Sequence, residues 1–230
     1  MKRMNKMLLV AALAATTLSA QAEQKKGPAW LSDALFYQIY PSSYMDTDGN
    51  GIGDLPGITS KLDYIKSLGV NALWLNPIFE SGWFDGGYDV IDFYKVDPRF
   101  GTNTDLVTLV NEAHKRGMKV ILDGVFNHCG SFNKWMDRER VYENFEGYPK
   151  GAYVSADSPY RDYFQFYDPN QWPYNGSYDG WWGHDTLPKL NYEGSRELYD
   201  YVLHNGQKWV SPPYNADGWR LDVAADLGHS

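Results

Sequence analysis

Four short runs with strand-like patterning alternate with stretches whose apolar residues recur at helical spacing, and that alternation leaves few folds open. The strand-like runs are Leu35 to Tyr40, Ala72 to Leu75, Lys119 to Phe126 and Gly218 to Val223. After the first, Ile58, Leu62, Ile65 and Leu68 keep helical spacing, and Gly69 is a natural stop. Leu106, Leu109, Val110 and Ala113 predict a second helix, capped by Asn103 or Thr104 and closed at Gly117. A third is predicted from about Ser195 to Val210. Parallel neighbours need a long crossover, which a helix supplies, so this order predicts a parallel α/β sheet. From Cys129 to about Leu190 the alternation breaks into aromatic-rich chain with scattered Pro and Gly. So long an irregular stretch after the third strand predicts an inserted subdomain at about 129–190.

The N-terminus reads as a targeting segment and not as fold. Lys2, Arg3 and Lys6 precede an apolar run from Met7 to Leu18, and Ala20-Gln21-Ala22 offers a small-x-small cleavage site. Residues 1–22 are thus expected to be a signal peptide, and 23–230 an exported protein, periplasmic or extracellular. The apolar run is too short, and too interrupted by Thr16 and Thr17, for a membrane span. Cys129 is the only cysteine, so no intramolecular disulfide can form. A net charge of −8 with no basic stripe argues against nucleic acid as a partner. Nine Trp and eighteen Tyr suit stacking on sugar rings, although aromatics are also ordinary core material.

Three segments have the residue types of chemistry. In Gly218-Trp219-Arg220-Leu221-Asp222-Val223-Ala224, strand alternation points Arg220 and Asp222 the same way. An arginine beside a carboxylate keeps it ionised and oriented, as a carboxylate nucleophile requires, though an isolated Arg-x-Asp is more often a structural ion pair. Asp123-Gly124-Val125-Phe126-Asn127-His128 ends the third strand and puts an imidazole at its mouth. A histidine there can donate to a substrate hydroxyl or serve as a structural hydrogen-bonder, and nothing at ligand spacing makes it a metal ligand. Phe84-Asp85-Gly86-Gly87-Tyr88-Asp89 offers an acid, two glycines and a tyrosine, which a plain turn also explains.

A fourth, Asp46-Thr47-Asp48-Gly49-Asn50-Gly51-Ile52-Gly53-Asp54, spaces oxygen side chains between glycines, the pattern of a loop around a hard cation. An EF-hand is excluded because its twelfth position is Gly57, with Pro56 beside it. Asp54 closes the loop and can cap the next helix, and a solvated Asp/Gly turn is the alternative to a bound cation.

Taken together, Phe36 to Pro41, Asp46 to Asp54, Asp85 to Tyr88, Asp123 to His128, Leu187-Pro188-Lys189-Leu190-Asn191 and Gly218 to Ala224 resemble the α-amylase family, glycoside hydrolase family thirteen, in identity, order and spacing. The resemblance implies an α/β fold: the N-terminal portion, about four of eight strands, of a (β/α)8 TIM barrel with a small domain inserted after strand three. It implies a retaining glycoside hydrolase acting on α-glucans or maltooligosaccharides. Asp222 then matches the nucleophile and Arg220 the residue that orients it. Asp85, Tyr88, Asp123 and His128 match the residues that bind the reacting sugar. Asp46, Asp48, Asn50, the Ile52 carbonyl and Asp54 match the calcium loop of oligo-1,6-glucosidase-like members. Leu187 to Asn191 is closer to neopullulanase-like members, so no single linkage is implied.

The family's general acid/base is a fifth-strand glutamate, followed by a later His-Asp pair; both are expected beyond residue 230. His184-Asp185 precedes the nucleophile and is not that pair. The chain is therefore expected to be inactive alone. A non-catalytic glucan-binding protein on the same scaffold, or a member that mainly transfers glucosyl units, stays open as an alternative.

Overall fold

A computed structural model describes residues 27–167 and 178–227. The expected signal peptide lies outside the described residues. The described residues divide into two units: 27–34, which holds the short 3-10 turn Ala29–Asp33, and the described residues from Leu35 onward.

The second unit is organised by one parallel sheet. Its strands are β1 (Phe36–Ile39), β2 (Ala72–Leu75), β5 (Lys119–Gly124) and β6 (Gly218–Leu221), adjacent in that order. Gln38 lies beside Trp74, Trp74 beside Ile121 and Ile121 beside Gly218, while Asp123 lies beside Arg220. Because side chains alternate, this register sorts the two faces. Ile39, Leu73, Leu75, Val120 and Leu122 are buried on one side, with the helical residues Leu55, Ile58, Leu62, Ile65, Leu106, Leu109 and Val110 in the same apolar cluster. The other face presents Gln38, Trp74, Asp123 and Arg220. One face thus supplies the core and the other is left for chemistry.

The helices between the strands differ from expectation in detail. The stretch after β1 is two short helices, α1 (Leu55–Ser60) and α2 (Leu62–Ser67), broken at Lys61. Helix α1 starts before Ile58 because Asp54 caps it, its Oδ1 accepting from Gly57 N–H at 2.6 Å. Helix α3 (Asn103–Lys115) is capped by Thr102 and not by Asn103 or Thr104. The Thr102 hydroxyl and the Asp105 carboxylate satisfy each other's backbone N–H groups, a capping box. Asn103 is engaged elsewhere, accepting from Val96 N–H at 2.8 Å and donating to the Tyr94 carbonyl at 3.2 Å. Helix α4 (Arg196–Trp209) lies where a helix from about Ser195 to Val210 is expected, with Ser195 as its cap.

One unexpected element is an antiparallel hairpin, β3 (Phe79–Ser81) and β4 (Val90–Val96), between β2 and α3. It presents the 82–89 turn. Trp209 of α4 is fully buried beneath it, its ring centroid 4.9 Å from that of Phe79 and its indole N–H donating to the Phe93 carbonyl at 3.0 Å.

The described part of residues 129–190, expected as an inserted subdomain, has no α-helix and no strand beyond isolated bridges. It folds on aromatics instead. Trp135 stacks on Phe93 at 5.9 Å and meets Tyr201 edge-on at 4.9 Å, so this segment shares the core of the sheet. Its end returns beside β5: Leu190 N–H donates to the Asn127 carbonyl and Cys129 N–H to that of Pro188.

Candidate active site

The polar face of the sheet converges on one arginine. Nη1 of Arg220 donates to Oδ1 of Asp123 at 2.9 Å and to Oδ1 of Asp222 at 2.7 Å. Asp123 is fully buried, and its other oxygen accepts from the Trp74 indole at 3.0 Å and the Tyr88 hydroxyl at 3.1 Å. Burial pushes the Asp123 carboxyl above its ordinary value, while Arg220, Trp74 and Tyr88 pull it back. Asp123 is therefore an anchor with its oxygens occupied. Arg220 also lies over the Trp74 ring, 5.0 Å from its centroid, which holds the guanidinium from a second side.

Asp222 sits where β6 has just ended. The strand stops at Leu221 and not at Val223, because Val223 takes a left-handed conformation (φ 43°) leading into the turn at Ala224–Asp226. Asp222 nonetheless stays tied to the sheet, its N–H donating to the Gly124 carbonyl at 3.0 Å. Its carboxylate has one oxygen on Arg220 and is partly accessible, with 15% of the side chain exposed. An oriented and reachable carboxylate is what a nucleophile needs.

Tyr88 and Asp85 arrive on the hairpin turn. Gly86 and Gly87 adopt φ of 58° and 105°, a conformation that suits glycine, and a Cβ at Gly87 would lie 3.0 Å from the Pro77 carbonyl. Buried Asp89 ties the turn from below, accepting from Phe84 N–H at 2.9 Å and Asp85 N–H at 3.2 Å. Tyr88 is thereby brought to Asp123, whereas Asp85 is exposed at the turn. Burial, with the Asp123 charge behind it, raises the Tyr88 phenol far above its ordinary range, so it stays protonated.

His128 is buried at the end of β5, with Nδ1 3.2 Å from the Asn127 side-chain amide. Its Nε2 is buried without a hydrogen-bond partner among the described residues. Burial holds its pKa below 6.5 against the opposing pull of Asp222, so the ring is neutral near pH 7. A neutral imidazole with an unpartnered nitrogen is suited to meet a ligand hydroxyl.

Asp123, His128, Tyr88, Arg220 and Asp222 are thus one constellation, and Trp74 belongs with them although its sequence context does not mark it. Its signal is positional: on β2 it shares the polar face with Gln38, and it alone of Ala72–Leu75 is not buried.

The Asp46–Asp54 loop forms a separate group. One carboxylate oxygen each from Asp46, Asp48 and Asp54 lie within 4.8 Å of one another. Asp46 accepts from the N–H groups of Asp48, Gly49 and Gly51, and those of Gly51 and Gly49 hold its carboxyl below the ordinary value. Asn50 donates to Asp48 at 3.0 Å and accepts from Ile52 N–H at 2.8 Å. Asp54 is buried, and both its oxygens accept from Thr47 as well. Three converging carboxylates on a loop turned by Gly49 and Gly51 (φ 79° and 89°) fit a hard divalent cation.

The alpha amylase, catalytic domain, family model matches residues 38–230. The oligo-1,6-glucosidase of Bacillus sp. (strain F5) is 37% identical over 219 residues, covering 86% of this chain and 39% of that protein. The trehalose-6-phosphate hydrolase of Bacillus subtilis (strain 168) is 45% identical over 216 residues, covering 84% and 35%. Among solved structures, the trehalulose synthase of Pseudomonas mesoacidophila MX-45 superposes with a TM-score of 0.72 at 32% identity, covering 86% of this chain and 36% of that one. The α-amylase of H. orenii gives 0.68 at 36% identity, covering 82% and 40%. The chain therefore spans well under half the length of these relatives.

Proposed function

The chain belongs to the α-amylase catalytic-domain family, and from that premise we propose that it is the nucleophile-bearing part of a retaining glycosidase acting on α-glucans. The observation that supports this most is Arg220 bonded to both Asp123 and Asp222 at the ends of adjacent parallel strands. In this reading Asp222 attacks the anomeric carbon and forms a covalent glycosyl ester, and the departing glycosidic oxygen takes a proton. Arg220 fixes Asp222 by donating to its Oδ1. Trp74, Tyr88 and Asp123 hold Arg220 in place. His128 binds a hydroxyl of the reacting sugar through its unpartnered Nε2, and Asp85 another from the turn.

Retention needs a second carboxyl about 5 Å from the nucleophile to protonate the leaving group. Asp123 shares Arg220 with Asp222, but three donors occupy it and its side chain is fully buried. It cannot reach a leaving group. We assign that proton donor to residues that follow this chain in a longer polypeptide, as the family resemblance implies, and expect the 230 residues alone to lack turnover. The relatives' names cover hydrolysis of α-1,6 linkages, of trehalose 6-phosphate and synthesis of trehalulose.

We also propose that the Asp46 loop holds calcium in a structural role, through Asp46, Asp48, Asn50, the Ile52 carbonyl and Asp54. The same reading makes residues 1–22 an export signal and 129–190 an insert on the barrel. Maltooligosaccharide hydrolysis, assayed in a polypeptide extending this chain through the rest of a barrel and in its Asp222→Asn form, tests the function. Loss of several orders of magnitude in kcat with the fold intact is the expected result, and near-normal turnover defeats it.

A further inference from the structure

The aromatic lip at Trp181 and Trp182 plays no part in the reading above, and its construction calls for a ligand. The chain folds back sharply here. A Cβ at Gly180 would lie 2.2 Å from the His184 carbonyl oxygen, so glycine is required. The turn is closed by Trp181 N–H to the Leu187 carbonyl at 3.0 Å, Gly183 N–H to that of Gly180 at 2.9 Å, and His184 N–H to that of Trp181 at 3.0 Å. Inside it Trp182 takes φ 50°, ψ 26°, the left-handed region that is unfavourable for a bulky side chain. Yet its indole is 84% exposed and gains little burial in return. A turn needing only that backbone geometry is better served by glycine or asparagine.

The second observation ties this indole to the site. The His128 and Trp181 rings have centroids 6.0 Å apart with a tilt of 32°, and Trp181 and Trp182 are 5.8 Å apart with a tilt of 34°. Three rings thus lead from the buried imidazole to solvent. The Trp181 Nε1, like the His128 Nε2, is buried without a partner among the described residues. A hydrogen-bonding ring edge followed by an open ring face on a closed turn is the arrangement that suits a pyranose beyond the one at His128.

We propose that Trp182 is the stacking platform for a glucosyl unit beyond the reacting sugar, so that the site favours α-glucan oligosaccharides of three or more units over disaccharides. This rests on the reading that His128 and Asp222 hold the reacting sugar.

Calorimetric titration with maltose and with maltotetraose tests it in the extended polypeptide, carrying Asp222→Asn so that neither sugar is turned over, and comparing this otherwise unchanged protein with its Trp182→Ala, Trp182→Gly and, as an exposed aromatic elsewhere, Tyr64→Ala forms. Unchanged protein and Tyr64→Ala should bind maltotetraose more tightly than maltose. Both Trp182 variants should bind maltotetraose about fivefold more weakly and maltose as before. Trp182→Gly should melt no lower than the unchanged protein, because it removes a strained conformation; a purely structural tryptophan would lower the melting temperature instead. Equal losses for both sugars, or no loss, overturn the platform alone. No binding of either sugar by the unchanged protein overturns the glycosidase reading and the platform with it.

Discussion

At the scale of single residues, Arg220 is the hinge of the site, because it is shared by two carboxylates that differ in burial. Asp222→Asn removes only a partly accessible charge and should leave stability nearly unchanged. Arg220→Ala instead strands the fully buried Asp123 carboxylate, and should destabilise the protein by roughly 3 kcal/mol in a urea titration. Equal, small effects of the two changes would mean that Arg220 does not hold Asp123. His128 gives a pH signature. Its folded pKa is below the unfolded value near 6.5, so the unfolded chain takes up the proton first. Stability should therefore fall as pH drops below about 6.5, levelling off below the folded pKa, and His128→Gln should remove that portion of the slope. An unchanged slope in the variant contradicts a buried, neutral imidazole. Asp123, His128, Arg220 and Asp222 were legible because each ends a strand-like run with a recognisable neighbour pattern. Trp74 was not, since its role depends on register: it is the alignment of β1, β2 and β5 that puts it on the polar face and within reach of Asp123.

At the scale of elements, the loop and caps around the sheet show where local chemistry decides the fold. Thr102→Ala should cost about 1 kcal/mol of stability, because it removes one arm of the capping box; the same change at Thr104 should cost less. Chelation should lower the melting temperature of a protein whose Asp46 loop holds calcium, with restoration on adding the metal back. No shift would reduce the loop to a self-bonded turn. The strands and the main helical faces were legible from periodicity, which reports burial directly. The β3–β4 hairpin was not, because β3 has only three residues, includes Glu80 and Ser81, and pairs with β4 through shifted register. The Thr102 cap was obscured by Asn103, an equally good capping type that instead bridges Tyr94 and Val96.

At the scale of the whole molecule, four parallel strands in sequential order place the ends of β5 and β6 side by side, and the site follows from that adjacency. Alternation of strand and helix was enough to anticipate the parallel sheet. The irregular course of residues 129–190 was not readable, since packing of Trp135 on Phe93 and Tyr201 is long-range and has no period. The central claim is that Asp222 is the group that bonds to the sugar. It is tested most directly by incubating the extended polypeptide with a 5-fluoro-α-glucosyl fluoride, whose leaving group needs no acid, and mapping the adduct by mass spectrometry. The account predicts one glycosyl adduct, on the peptide containing Asp222, that is absent in Asp222→Asn. An adduct on another carboxylate, or its persistence in Asp222→Asn, would contradict it.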